Sequence, residues 1–222
     1  MKQILAALLV GSALFAAPAA AQDEKGDVQV KVLGTAVLPD GNITAVNTDI
    51  INLPANLQTE ANDNYVPTLA IEYFVSENFS IETICCMTEH DVDGVTGLAG
   101  AELVADAKLI PATITGKAHF DLGPVKPYIG AGATYFLWVD VDPGAATVPL
   151  GVTETDLSDE FGLVLQAGMD VPLGENGFGL TLDAKKYWVG TTASWYAGNT
   201  LAIETEHDLV LGKPVRQPPQ RV

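Results

Sequence analysis

The chain has 222 residues, with 11 Lys and Arg against 28 Asp and Glu, a net charge of −17 and a pI near 4.2. So few basic residues exclude a phosphate-binding patch, and with it nucleic acid as a partner. A mean hydropathy of +0.22, with 48% hydrophobic and 18% charged residues, excludes a disordered chain and is unusual for a soluble domain of this acidity.

The first element is a Sec signal peptide over residues 1–21. Lys2 precedes the apolar run Ile4 to Phe15, and Ala19-Ala20-Ala21 places the cut before Gln22. Removing it takes away one positive charge, which leaves 10 basic and 28 acidic residues, net −18. No later run is long enough for a transmembrane helix, so an exported chain of this kind meets a membrane with strands.

From there strict alternation replaces helical periodicity. Eight candidate strands follow in order: 28–38, 65–76, 79–90, 108–121, 125–139, 159–171, 178–190 and 200–211. The connections alternate in length. Long loops are expected at 39–64, 91–107 and 140–158 and a medium one at 191–199, against tight turns at Glu77-Asn78, Leu122 to Pro124 and Pro172 to Gly177. Short turns on one side and long loops on the other fit an all-β, eight-stranded, antiparallel up-and-down transmembrane barrel occupying 22–211 as one domain. Cys85 and Cys86, being adjacent, fall on opposite faces of a strand and read as small hydrophobes rather than a disulfide.

Each strand divides into two faces. Leu69, Ile71, Tyr73 and Val75 oppose Thr68, Glu72 and Phe74; Phe79, Ile81 and Met87 oppose Ser80, Glu82 and His90; Phe161, Leu163 and Leu165 oppose Gln166 and Asp170. Alternation alone also suits a soluble lipocalin-like carrier with its apolar face inward. Aromatics near the strand ends, including Tyr65, Phe79, Phe120, Tyr128, Trp138, Phe161, Phe178 and Trp188, favour apolar residues facing lipid, since such rings settle at the membrane interface.

With polar faces turned inward, Lys31, Glu72, Glu82, Lys117, Lys126, Asp183 and Lys185 enter the lumen, with Glu204 and Glu206 on the last strand. A salt-bridge network filling the lower barrel is the expectation, with an ion-selective pore as the alternative, because an eight-stranded interior holds little beyond side chains. A plugged base sends an apolar solute sideways through the wall. Candidate path residues are Leu53 and Leu57, from a first loop that with Ile50 and Ile51 is too apolar for open water. Trp138 and Trp195 are two more, although anchoring at the interface is the plainer role for both.

No catalytic residue, cofactor or metal site is expected. His90, His119 and His207 lie on three strands, and no nucleophile elbow, HExxH or phosphate loop occurs. Asp91-Val92-Asp93-Gly94 lacks the remaining ligands of a calcium loop, and the acidic loops suit contact with lipopolysaccharide through divalent ions.

The run Lys126-Pro127-Tyr128-Ile129-Gly130-Ala131-Gly132 resembles the signature of the OmpW family of small outer-membrane barrels. Thr68 to Phe74, His90-Asp91, Leu109 to Thr113, and Phe161-Gly162-Leu163 with Gln166 to Asp170 follow in the family's order. The resemblance implies an eight-stranded barrel in the outer membrane, folded by the insertion machinery, with a narrow apolar lumen for passage of small hydrophobic molecules. A non-transporting structural or adhesive barrel is the alternative. Two departures stand out: no proline precedes His90-Asp91, and the chain ends not on an aromatic residue but in a proline-rich polar tail, 212–222, which holds both arginines, Arg216 and Arg221.

Overall fold

A computed structural model describes residues 25–174, 178–210 and 220–221. The expected signal peptide, and the tail apart from Gln220 and Arg221, lie outside the described residues.

Strands make up most of the described residues: β1 (Val28–Val37), β2 (Gly41–Asp49), β3 (Gln58–Ala61), β4 (Asn64–Ser76), β5 (Phe79–Cys85), β6 (Thr88–Thr96), β7 (Glu102–His119), β8 (Lys126–Pro143), β9 (Glu154–Leu157), β10 (Glu160–Pro172), β11 (Gly179–Ala197) and β12 (Thr200–Val210). Neighbours pair antiparallel in the order β1-β4-β5-β7-β8-β10-β11-β12-β2. The exception is the parallel pairing of Gln220 and Arg221 with Ala45 and Val46 of β2.

The strand segments outnumber eight because some staves are broken and some loops are themselves strands. β1 and β2 are one stave bent at Pro39, the lower part bonded to β4 and the upper part to β12. β5 and β6 form another, interrupted at Cys86-Met87. With β4, β7, β8, β10, β11 and β12 they make eight staves, while β3 and β9 pair only outside this circuit, with β6 and β11. The long loops expected from the sequence are therefore largely strand. β7, β8 and β11 run 18 to 19 residues each and carry the barrel well past the membrane. The expected loop 191–199 is the outer end of β11 and a tight turn at Gly198-Asn199.

The register fixes the barrel's stagger. Pairing runs from Val30 to Ile71, Thr83, Ile114, Ala133, Leu163, Trp188 and Val210. The register that joins Leu209 to Gly41 then sets Val210 against Asp40, ten residues further along the first stave than Val30. A stagger of this size tilts the staves, and places β2 and β12 at the outer end.

Side chains follow the pleat. Leu69, Ile71, Tyr73, Phe79, Ile81, Ile114, Ile129, Leu163, Leu165, Leu180 and Trp188 are exposed on the outer face, while Phe74, Glu72 and Lys117 are buried within. An exposed apolar band around a closed antiparallel sheet is the lipid-facing surface of a membrane barrel. Tyr65 and Phe161 are its most exposed aromatics, at 75% and 78%. Tyr128, expected in that belt, is instead 2% exposed and inside the lumen, because it shares the inward parity of Gly130 and Gly132.

Close contact between β7 and β8 depends on Gly132. A Cβ there would run into the Ile114 carbonyl and the Thr115 Cα, both backbone atoms that cannot swing aside. Gly132→Val is expected to prevent closure of this pair, seen as loss of the compact, heat-modifiable band in cold electrophoresis, while Gly116→Ala, whose Cβ meets only the Ala131 carbonyl at 4.0 Å, leaves that band in place.

Candidate functional site

The lumen is built in two levels. The lower level is a charge network centred on Glu72, whose side chain is fully buried. Lys31 and Lys117 each reach Glu72 Oε2 at 2.8 Å, and His119 Nε2 lies 3.0 Å from Oε1. Lys117 also bonds Glu82 at 3.0 Å, and Lys185 joins Glu82 at 3.0 Å to Asp183 at 2.7 Å. Asp170 closes the circuit on Lys31 at 3.0 Å.

Neutral groups complete the coordination. Gln166 donates to Glu82 and Asp183 at 2.9 and 2.6 Å and accepts from Thr115 at 2.8 Å, and the Tyr128 hydroxyl donates to Asp183 at 2.7 Å. The Tyr128 ring carries Lys117 Nζ 3.8 Å above its centre. Gly168, directly opposite Tyr128, supplies the space, since a Cβ there would strike the phenol. Buried charges persist only when paired and hydrogen-bonded, and six of the seven charges expected in the lumen lie within this connected set. The seventh, Lys126, is half-buried and faces Asp170 across the β8–β10 ladder.

Glu204 and Glu206 are placed differently from expectation. Glu206 is exposed, and Asn47 Nδ2 binds both carboxylates on the outer surface at 3.3 and 2.9 Å. Thr205 and His207 point inward instead. β12 keeps one phase from Glu204 to Asp208 and pairs in unbroken register with β11 from Trp188 to Trp195, so Glu206 lies opposite Thr192 on the outward parity of Trp188; the register shifts against β2 fall on that strand, at Thr44 and Asn47.

That upper level is an apolar cluster of Ile43, Val46, Leu53, Leu57, Leu103, Val104, Ala107, Val152, Leu157, Ala193, Trp195, Ala202 and Ile203. Leu53 and Leu57 both belong to it, whereas Ile50 and Ile51 point out to solvent. Asp49 folds the segment inward by accepting from the Leu53 amide at 2.8 Å. Trp195 is 5% exposed, an interior residue rather than an interface anchor, and its Nε1 donates to the Leu103 carbonyl at 3.0 Å. Trp138 packs against this cluster and against a smaller one, Leu109, Phe136 and Val189, beneath it.

Between the two levels the wall is incomplete. β5 pairs with β7 as far as Ile84↔Thr113, and β6 resumes in the same register at Thr88↔Leu109. On the other side β4 and β5 stop at Leu69↔Cys85. Among the described residues Cys86 and Met87 make no ladder pair with either neighbour. Continuing each register sets Pro111 beside Cys86 and Pro67 beside Met87, and neither proline has an N–H to donate. On the lumen side Phe136 is registered with Pro111; on the lipid side Cys85 and Met87 are exposed. This seam begins four residues outward of Glu82 on its stave, immediately above the network.

Sequence reasoning missed several members of the site. Tyr128 read as a belt aromatic, Asp170 and Gln166 were placed on the inward face without a partner, and the seam had no local signal beyond two prolines on separate staves. Among the described residues no cluster of His, Cys, Asp and Glu has metal-binding geometry.

The sequence model of the OmpW family matches residues 24–210. The outer-membrane protein y4mB of Sinorhizobium fredii is 32% identical over 73% of this chain and 66% of its own length. Outer membrane protein W of Vibrio cholerae is 27% identical over 89% of each chain. Among solved structures, the outer membrane protein OprG from Pseudomonas aeruginosa superposes with a TM-score of 0.67 at 20% identity, covering 85% of this chain and 91% of that one. The outer membrane protein AlkL in lipid bilayers superposes with a TM-score of 0.57 at 20% identity, covering 96% and 94%.

Two outcomes follow from the lumen. Lys117→Met strips a shared partner from Glu72 and Glu82 and is expected to cost about 3–5 kcal/mol in urea unfolding, the penalty of uncompensated buried charge. Adding Glu72→Gln should recover part of that loss. At the outer end, above the lipid-facing band, burial pushes His207 down to about 4. An opened state protonates near pH 6.5, so closed-state stability is full above that value and falls as the pH drops toward 4. Hydrogen exchange of β2 and β12 amides, corrected for intrinsic rates, should show easier opening at pH 5 than at pH 7, and His207→Leu should remove the difference.

Proposed function

The chain belongs to the OmpW family and is an outer-membrane β-barrel, and on that premise we propose that it takes small hydrophobic molecules from the outside and releases them sideways through the seam at Cys85–Met87. The observation that carries this reading is the juxtaposition of three features. An apolar upper lumen ends on Phe136, the ladder is interrupted at Cys86 and Met87 on the stave beyond its partner Pro111, and the lumen below is closed by ion pairs. An apolar solute gains nothing by crossing a filled charge network, since it would strip partners from buried ions. Lateral transfer keeps it in apolar surroundings throughout.

Leu53 and Leu57 act as the gate, because they hang from the segment between β2 and β3 and fill the mouth. Trp138 and Trp195 wall the path beneath them. Lipids and lipopolysaccharide bound the outer face, and the apolar band supports that contact. The reading involves no bond chemistry. His119 Nε2 meets both Ser80 Oγ, at 2.8 Å, and Glu72 Oε1, at 3.0 Å, so the carboxylate does not orient the far ring nitrogen as a hydrolytic triad requires.

A non-transporting barrel is the competing reading, favoured by how completely the protein's own side chains fill the upper lumen. Flux separates the two. In liposomes reporting naphthalene entry by fluorescence, the wild-type protein is expected to accelerate uptake, and a bulky maleimide on the exposed Cys85 to slow it severalfold, with Cys85→Ala insensitive to the reagent. No acceleration by the unlabelled protein contradicts transport, and acceleration untouched by the label contradicts the sideways route.

A further inference from the structure

The two tryptophans of the upper lumen are treated unequally. Trp195 Nε1 has its acceptor in the Leu103 carbonyl. Trp138 Nε1 is closed off from bulk water and has no hydrogen-bond partner among the described residues. Its ring sits where the outer and middle apolar clusters meet, packed against both. A second polar atom shares this condition: Thr155 Oγ1 on β9, buried beside Leu157 of the same cluster and paired across the ladder with Trp195. β9 packs against β8, the stave of Trp138.

A buried indole N–H ordinarily finds a partner, and leaving it unmet costs more than a normal hydrogen bond gains. If the throat served only packing or only hydrocarbons, phenylalanine would fill the place without that cost. The apolar side chains packed with the ring are Leu109, Phe136, Val189 and the outer cluster, with Tyr187 against the lower one and Asp159 accepting from the Trp138 backbone amide at 2.8 Å. The site therefore holds a donor inside an apolar sleeve.

We propose that the upper lumen recognises molecules that are hydrocarbon over most of their surface and carry one hydrogen-bond-accepting oxygen, a ketone, ester or ether, to which Trp138 Nε1 donates, with the Thr155 hydroxyl as a second polar contact. This rests on the reading of the lumen as a solute path, which it narrows from apolar molecules in general to singly oxygenated ones.

The test uses the full-length protein in lipid nanodiscs with 15N-labelled indoles. The chain has three tryptophans, and the Trp138 signal is assigned by its loss in Trp138→Phe. The probes are 2-nonanone and 1-nonene, matched in length. The ketone is expected to move the Trp138 indole resonance downfield and leave Trp188 in place, while the alkene leaves Trp138 where it was. Trp138→Phe should weaken ketone binding severalfold with alkene binding unchanged, and Thr155→Val should weaken it less. Equal shifts from both probes, no shift from the ketone, or a persistent contact from the indole proton to water that the ketone does not displace would overturn the proposal. Because the resonance reports binding and not passage, a ketone-specific shift without flux in liposomes defeats the transport reading alone, and flux with no ketone-specific shift defeats this one alone.

Discussion

Glu72 is the residue on which the barrel's interior depends. A fully buried carboxylate inside a membrane protein is tolerated only if its charge is met where it lies, and here Lys31, Lys117, His119 and Ser80 converge on its two oxygens. Those partners come from β1, β7 and β5, so the requirements of one ion set the mutual register of staves far apart in sequence. Lys117 extends the same logic to Glu82, and Lys185 to Asp183. The result is a closed, directional floor. Above it, among the described residues, no buried lysine enters the lumen; apolar side chains fill it, and Thr205 and His207 turn inward where two glutamates turn out.

This floor also accounts for the composition. Within the network three lysines meet four carboxylates, so the acidity of the chain is not stored in its interior. It sits outside the apolar band, on exposed residues such as Glu89, Asp106, Asp140, Glu160, Glu206 and Asp208. Hydropathy and charge are both high because they occupy different surfaces, lipid-facing and water-facing, as a barrel turned inside out requires.

The parts legible in the sequence were those set by period two. Alternation identified the staves, their faces, and the inward position of Lys31, Glu72, Glu82, Lys117, Asp183 and Lys185, because each follows from a local pattern. What stayed hidden depends on register between staves. Tyr128 looked like an interface aromatic until its opposite residue, Gly168, was known to leave room for its ring. Glu204 and Glu206 read as inward because alternation along β12 by itself fits either face, and only its pairing with β11 sets Glu206 on the outward parity of Trp188. The outer extensions of β7, β8 and β11 read as loops, since polar residues replace apolar ones as soon as the strand leaves the bilayer. The seam at Cys86-Met87 required two prolines on different staves to be aligned with it.

The proposed route takes a solute inside this barrel out through the wall rather than through the floor. The most direct measurement is photolabelling of outer-membrane vesicles from outside with a small hydrocarbon diazirine, followed by peptide mapping of the adducts. Adducts concentrated on Pro67, Cys85, Met87 and Phe136 are predicted, with none at Lys31, Tyr128 or Asp170. Adducts running down through the charge network to the inner mouth, with the seam unlabelled, would contradict it.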